Sequence, residues 1–384
     1  MIKFNWHRSN NLIKIPNKSK FVYCAPLVSL NNIHKYRPYI EIPVTMNKLG
    51  FKSYLICGEI HFTPPKCIEV IQTGVVSNKQ IHIMRIYKSI IKFLKKERPN
   101  IFVFFHMDIL MPLFILYAKI INLNTKFVLK LDSDGNTFKI NNSPLIILKR
   151  IYVSILSYFV DTIIIESECG KNELLKIMLL NKNKILLLPN TFSERKYKVL
   201  NYEDTERYNY ILYVGRIHPE KDLDTLFTAF RDITNIYNNW NLHIVGPIED
   251  KNYFEKLNKK YESLIKDNKI IFLGALYDES LDFEYLHASI FCLPSRNESF
   301  GIVRVEAMAC GIPVITSEAG CGKEFKKYGS IIFPIGDYKL LEIDLRSLIK
   351  SKETRIEISK KQVANLKSYE CLMVELLRFL GYYN

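Results

Sequence analysis

The 384-residue sequence predicts an α/β protein built from two tandem, doubly wound domains with a crevice between them. Short apolar runs of strand length alternate with helical, amphipathic stretches in both halves, which is the rhythm of a parallel sheet. A polar, strand-free stretch from Asn190 to Tyr208, opened by Pro189-Asn190, separates the two series and reads as a linker. The chain is also long enough, at 48% hydrophobic residues, to fill two cores of ordinary size. The expected division is residues 1–195, residues 196–365, and a C-terminal helix over 366–384 that packs back on the first domain.

In the first half, Phe21 to Ala25 is a strand and Pro26 to Tyr36 a long loop. Arg37 to Leu49 carries Ile40, Val44 and Met46 at helical spacing, and Phe51 to Cys57 is the second strand. Helices over Ile81 to Lys96, Leu110 to Ile121, Pro144 to Phe159 and Lys171 to Leu179 alternate with strands at Ile101 to Phe105, Phe127 to Leu131, Thr162 to Ile165 and Ile185 to Leu188. The second half repeats the pattern. Strands fall at Tyr210 to Val214, Leu242 to Val245, Ile270 to Leu273, Ile290 to Leu293 and Val314 to Thr316. Helices fall at Asp222 to Tyr237, Tyr253 to Ile265 and Leu281 to His287, and the stretch Ser351 to Leu380 is largely helical. No short-period repeat interrupts the series.

Composition narrows the function. The formal net charge of +15 points to an anionic partner, although Lys, Asn and Ile are abundant throughout, as an AT-rich genome would encode. No nucleic-acid module is visible, and the aromatic residues do not interleave with the basic ones as a base-stacking platform would require, so nucleic acid is not the expected partner. The basic stretch Ile83 to Arg98 sets Arg85, Lys88, Lys92, Lys95, Lys96 and Arg98 beside an apolar face. That composition suits an anionic lipid surface as well as it suits a helix packed on a sheet. The eight cysteines show neither a C-x-x-C pair nor a histidine at metal-ligand spacing, and read as buried thiols of a reducing compartment. The apolar stretches Ile109 to Ile121 and Leu145 to Ile165 are interrupted by Lys119, Lys149, Arg150 and Asp161 before the roughly 20 residues that a membrane span needs. The first twenty residues lack the apolar core of a secretory signal. A cytoplasmic location follows, with peripheral attachment to the inner face of the membrane as an option.

The chemistry concentrates in Asn297 to Thr316, NESFGIVRVEAMACGIPVIT. Glu298, Ser299 and Phe300 form a loop, and Gly301 opens a helix through Ile302 and Val303. The unpaired N–H groups and positive dipole end of a helix start suit a diphosphate, and a glycine lets the ligand approach the backbone closely. Glu306 lies five residues on, roughly 7 to 8 Å along the axis, where a carboxylate would accept the hydroxyls of a ribose. Glu298 precedes the helix, on the side where a sugar would lie. A second cluster follows the strand Tyr210 to Val214: Gly215-Arg216 and then Lys221. Arg216 offers a bidentate fork and Lys221 a point charge for the same diphosphate. Gly274-Ala275-Leu276 is a turn at another strand end.

The pair Glu298 and Glu306, the Phe300-Gly301 step, the run Ala309 to Val314 and the string GRIHPEKDLDTL together resemble family 4 of the retaining, nucleotide-sugar-dependent glycosyltransferases (glycosyl transferases group 1). The resemblance is strong over residues 205–335. It implies the GT-B fold, an acceptor-binding first domain, a donor-binding second domain and transfer of a hexose from a UDP- or GDP-sugar to a hydroxyl of a glycan or lipid-linked acceptor. No cofactor or metal is implied. By the same resemblance Arg216 and Lys221 hold the leaving diphosphate, and the backbone near Leu276 contacts the base. The first domain departs from the family: the usual Gly-Gly pair after the first strand is missing from APLVSLNNIHKY, so acceptor identity does not carry over.

Asp132-Ser133-Asp134, after an apolar strand, resembles the metal-binding Asp-x-Asp of the GT-A fold, where paired carboxylates hold a divalent ion. That gives a metal-dependent alternative. The favoured role for Asp134, with Asp132 beside it, is to face the transferred sugar or the acceptor hydroxyl from an interdomain loop. His106 ends another strand facing the crevice. A further alternative is a non-catalytic sugar-nucleotide binder, against which stand the intact Glu298, Arg216 and Lys221.

Overall fold

The structure, a computed structural model, describes residues 15–74, 80–105, 111–121, 124–131, 144–177 and 180–382. The first domain runs β1 (Lys20–Ala25), α1 (Pro38–Lys48), β2 (Lys52–Cys57), β3 (Ile68–Gln72), α2 (Gln80–Glu97), β4 (Ile101–Phe105), α3 (Met111–Ile121), β5 (Lys126–Leu131), α4 (Pro144–Phe159), β6 (Thr162–Ile165), α5 (Glu168–Leu175) and β7 (Ile185–Leu187). Its seven strands are parallel, in the order β3-β2-β1-β4-β5-β6-β7. Strands covered on both faces need no polar alternation, and β4 and β6 are buried at every position.

The second domain runs β8 (Tyr208–Val214), α6 (Leu223–Thr234), β9 (Asn241–Val245), α7 (Lys251–Lys260), α8 (Glu262–Lys266), β10 (Ile270–Gly274), α9 (Asp278–His287), β11 (Ala288–Leu293), α10 (Ile302–Ala309), β12 (Val314–Ser317), β13 (Ile331–Phe333), α11 (Tyr338–Lys350), α12 (Lys352–Asn365) and α13 (Tyr369–Phe379). Its six strands are parallel in the order β10-β9-β8-β11-β12-β13. Three elements go beyond the sequence reading: the edge strands β3 and β13 and the helix α11. The predicted helix Tyr253 to Ile265 is two helices, broken at Tyr261, whose side chain turns inward onto Phe227.

Two apolar layers sandwich the first sheet. One, under α2, α3 and α4, includes Phe102, Phe114, Phe127 and Leu156. The other, under α1, is completed by α13, whose Tyr369, Leu372, Met373, Leu376 and Leu377 are buried against Phe21, Tyr23 and Met46. The chain thus enters the second domain through residues 188–207 and comes back at α13.

Strand order reverses between β1 and β4 in one sheet and between β8 and β11 in the other. These are the switch points at which open α/β sheets bind ligands, beyond the carboxyl ends of the strands. The two are brought face to face by contacts across the domains. The Glu324 carboxylate accepts from the Glu168 and Cys169 backbone N–H groups at the start of α5, at 2.9 Å each. Arg37, at the start of α1, pairs with Glu306 of α10 at 2.8 Å. The eight cysteines form no disulfide, but Cys67 and Cys169 are exposed and Cys371 half-buried rather than buried, because each sits in a polar turn or near a helix start.

Candidate active site

A cavity of about 390 Å³ lies between the domains at the two switch points. The ends of β4, β8 and β11 reach it with Phe105, Val214 and Leu293. The predicted residues Gly215, Arg216, Lys221, Glu298, Ser299, Phe300, Gly301, Ile302 and Val303 all line it. Residues from distant parts of one sequence are therefore gathered around one space.

Gly301 is the cap of α10 and has φ of +64°. A side chain there would be strained, and its Cβ would lie 3.2 Å from the Glu298 and Arg304 side chains. The loop before it is pressed from behind by Gly320, where a Cβ would stand 1.6 Å from the Glu298 carbonyl oxygen. Cys321 holds the same loop by donating its thiol to the Ser299 carbonyl at 2.9 Å. Beneath it, Arg304 is fully buried, donates to the Phe300 carbonyl at 3.2 Å and lies over the Phe325 ring, with Nε and Nη2 lacking a hydrogen-bond partner. A buried guanidinium so placed adds to the positive field of the helix start.

Lys221 ends a 3₁₀ turn (Pro219–Lys221), and α6 begins after it at Leu223. Its ammonium is 2.7 Å from the Glu298 carboxylate, both largely buried. Arg216 lines the same cavity as Lys221. Its guanidinium pairs with Glu249, because a bridge between Ile217 and Ile248 sets the turns after β8 and β9 side by side. Near these groups the Tyr213 phenol is held well above its ordinary range by burial, reinforced by Glu298, and it donates to the Arg216 carbonyl at 2.9 Å.

Glu306 differs most from its expected setting. It is buried one turn beyond Ile302 on the same flank of α10, does not line the cavity, and gives one oxygen to Arg37 and the other to the Tyr285 hydroxyl at 3.2 Å. Axial rise takes no account of a partner from the other domain. Arg37 does line the cavity and stands between it and Glu306. Burial opposes the charge on Arg37, yet Glu306 and the surrounding tyrosines raise its pKa above the ordinary value. Leu276 is also away from the cavity, because β10 is the edge strand, separated from β11 by both β9 and β8. His106, Asp132 and Asp134 lie outside the described residues.

Sequence reasoning missed His34, Arg37, Tyr39, Glu166 and Asn190, which form the first-domain wall. Burial, then Arg37, lowers the pKa of His34 and favours neutral imidazole. Glu166 forms a buried ion pair with Lys130. One signal was available: Arg37 immediately precedes Pro38, a residue favoured at the first helical position. A cation there opposes the helix dipole.

Comparison with known proteins bears on the family and the fold. Residues 200–363 match the family described as glycosyl transferases group 1. The capsular polysaccharide biosynthesis glycosyltransferase CapM of Staphylococcus aureus is 27% identical over 230 residues, 56% of this chain and 60% of CapM. A phosphatidyl-myo-inositol mannosyltransferase of Mycobacterium leprae is 30% identical over 149 residues, 38% of each chain. The chain thus spans less than two thirds of either relative. Anabaena HepE, solved in complex with UDP and glucose, superposes with a TM-score of 0.68 at 14% identity, covering 94% of this chain and 99% of HepE. The chain therefore has the fold of the GT-B glycosyltransferases, and its residues 200–363 resemble glycosyl transferases group 1.

Proposed function

We propose that this protein is a retaining, family 4-like hexosyltransferase that moves a hexose from a UDP- or GDP-sugar to a hydroxyl of a glycan or lipid-linked acceptor, without a metal ion. The observation that carries the reading is the convergence of Lys221, Glu298 and the Gly301 helix start on one interdomain cavity. In the transfer, the bond from the anomeric carbon to the diphosphate oxygen breaks and its electron pair leaves with the nucleotide. The acceptor oxygen forms the new bond, and its proton ends on the departing phosphate. Lys221, Arg216 and the N–H groups at Gly301 to Val303 take up the charge that develops on the leaving diphosphate. Glu298 contacts the sugar next to the carbon where positive charge develops, and Glu306 serves the ribose. Asp132, Asp134 and His106 are assigned to the sugar or acceptor side, with Asp134 a candidate catalytic group.

Residues 1–195 hold the acceptor and residues 196–365 the donor, with 366–384 returning to the first domain. The UDP and glucose found in HepE support a UDP-sugar as donor. The names of the relatives CapM and the mannosyltransferase support a glycan or lipid acceptor. An acceptor of this kind is consistent with a cytoplasmic protein, with peripheral attachment to the inner face of the membrane as the proposed option. Among the described residues no helix is long and apolar enough to cross one. Incubation with a panel of UDP- and GDP-sugars, with detection of free nucleoside diphosphate, tests the reading. Release from one donor, stimulated by an acceptor, is the expected result; binding without release from any donor would make the chain a sugar-nucleotide binder.

A further inference from the structure

The helices α3 and α4 each carry a second apolar stripe that the fold does not use. On α3, Met111, Phe114, Ile115 and Ala118 are buried, while Leu113, Leu116, Tyr117 and Ile120 face solvent at the i, i+3, i+4, i+7 spacing. On α4, Val153 and Leu156 are buried, while Ile147, Leu148, Ile151, Ile155 and Tyr158 are exposed on the opposite flank. Each exposed stripe is roughly 100° wide at 3.6 residues per turn. Leu113 is 68% exposed, Ile120 67% and Leu148 65%. A helix on a water-facing surface carries polar residues on that flank, and contiguous exposed apolar patches of this kind mark an interaction surface.

The charges beside the stripes say what covers them. The neighbouring helix α2 turns Arg85, Lys88, Lys92, Lys95 and Lys96 outward. The Lys95 ammonium lies 5.7 Å from the centre of the Tyr117 ring, so the cationic flank of α2 and the apolar flank of α3 are continuous. The three helices contain a single acidic residue, Glu97, and it is spent on Lys20 and Tyr54. A second copy docking through the same face would set these cations against each other. An anionic phospholipid surface satisfies both halves, its headgroups taking the lysines and its acyl boundary the leucines and isoleucines.

We propose that this face, α2 to α4, docks the protein on anionic membranes, with the α3 and α4 stripes inserted at the headgroup boundary. The inference deepens, and rests on, the membrane part of the proposed function. It differs from electrostatic adsorption through the basic helix alone: insertion of apolar side chains is not screened by salt, whereas attraction of exposed charges is. The full-length protein is floated with phosphatidylcholine vesicles with and without phosphatidylglycerol, at low and high salt. Wild type is expected to float with the anionic vesicles and to keep part of its binding at high salt. Leu116→Ser/Ile120→Ser and Ile151→Ser/Ile155→Ser are each expected to lower partitioning about tenfold or more, with unchanged circular dichroism and UDP binding, since all four side chains are exposed. Leu116→Trp supplies an independent readout, its emission moving to the blue with vesicles and being quenched by brominated lipid. Flotation lost to salt alone and indifferent to the serine variants would overturn the docking face while leaving membrane association standing. Absence of flotation with any vesicle, or a stable dimer dissolved by the same substitutions, would overturn both.

Discussion

The contact between Arg37 and Glu306 makes a sharp prediction about donor binding. If Glu306 serves the ribose, a bound nucleotide must take the Glu306 oxygen that Arg37 holds at 2.8 Å. The Glu306 side chain is 6% exposed and that of Arg37 26%, so the pair is screened less than a surface salt bridge. A hydrogen bond between charged groups in such a setting contributes about 1.5–3 kcal/mol net, and a ribose hydroxyl, being neutral, restores only part of it. A deficit near 1.4 kcal/mol corresponds to about tenfold in affinity. Arg37→Met is therefore expected to bind UDP about tenfold more tightly than wild type by titration calorimetry, while its thermal midpoint falls because Glu306 loses its buried partner. Glu306→Gln is expected to weaken UDP binding. In the double variant the gain from Arg37→Met should vanish, a coupling that the double-mutant cycle measures directly. Weaker binding by Arg37→Met would mean that the arginine holds the donor itself. An equal gain in both backgrounds would mean that it does not act through Glu306. Either result refutes the ribose assignment.

Other consequences follow from the same geometry. Glu298→Gln should lower kcat on the order of 10²-fold with a smaller effect on UDP affinity, the reverse of Glu306→Gln; steady-state kinetics beside calorimetry separates the two. Turnover should survive EDTA, because Lys221, Arg216 and the start of α10 supply the positive charge; abolition by EDTA with recovery on adding Mn²⁺ would make Asp132 and Asp134 metal ligands. Asp344 of α11 is pushed up to about 6 from its ordinary 3.8 by burial and by nearby Asp337. A raised carboxyl pKa means that the folded state holds the proton more tightly, so stability falls as pH rises from about 3.8 to about 6. Asp344→Asn should accordingly raise the melting temperature at pH 7 and leave it unchanged at pH 3.5, as scanning fluorimetry across pH would show.

What the sequence made legible follows the physics of each element. Central strands such as IFVFF and TIII announced themselves because burial on both faces leaves a continuous apolar run. Strand β3, IEVIQ, lies at a sheet edge with Glu69 and Gln72 outward, and β13 has only three residues; neither carries enough pattern to stand out. The loop from Glu298 to Gly301 was readable because its chemistry is local: a carboxylate, a glycine with positive φ and a helix start, all consecutive. The opposite wall was not, since His34 and Arg37 come from the connection before α1, Glu166 from the end of β6 and Asn190 from the stretch after β7. Their meeting is a property of topology. Glu306 shows the same limit, its position on the helix being local and its partner, 269 residues away, not.

The return of α13 to the first domain bears on how the chain matures during synthesis. Domains generally fold as units, the earlier one first, as the polypeptide emerges. Here the layer formed by Phe21, Tyr23, Leu55 and Met46 lacks Leu372, Met373, Leu376 and Leu377 until residues 369–379 have been made, after the whole second domain. During that interval the nascent first sheet has one apolar face incompletely covered, and the second domain is free to fold ahead of it. Translation speed across residues 196–365 thus sets how long that face stays open to chaperones or to other chains. Pulse proteolysis of arrested nascent chains, released before or after residue 380, would resolve the order in which the two sheets close.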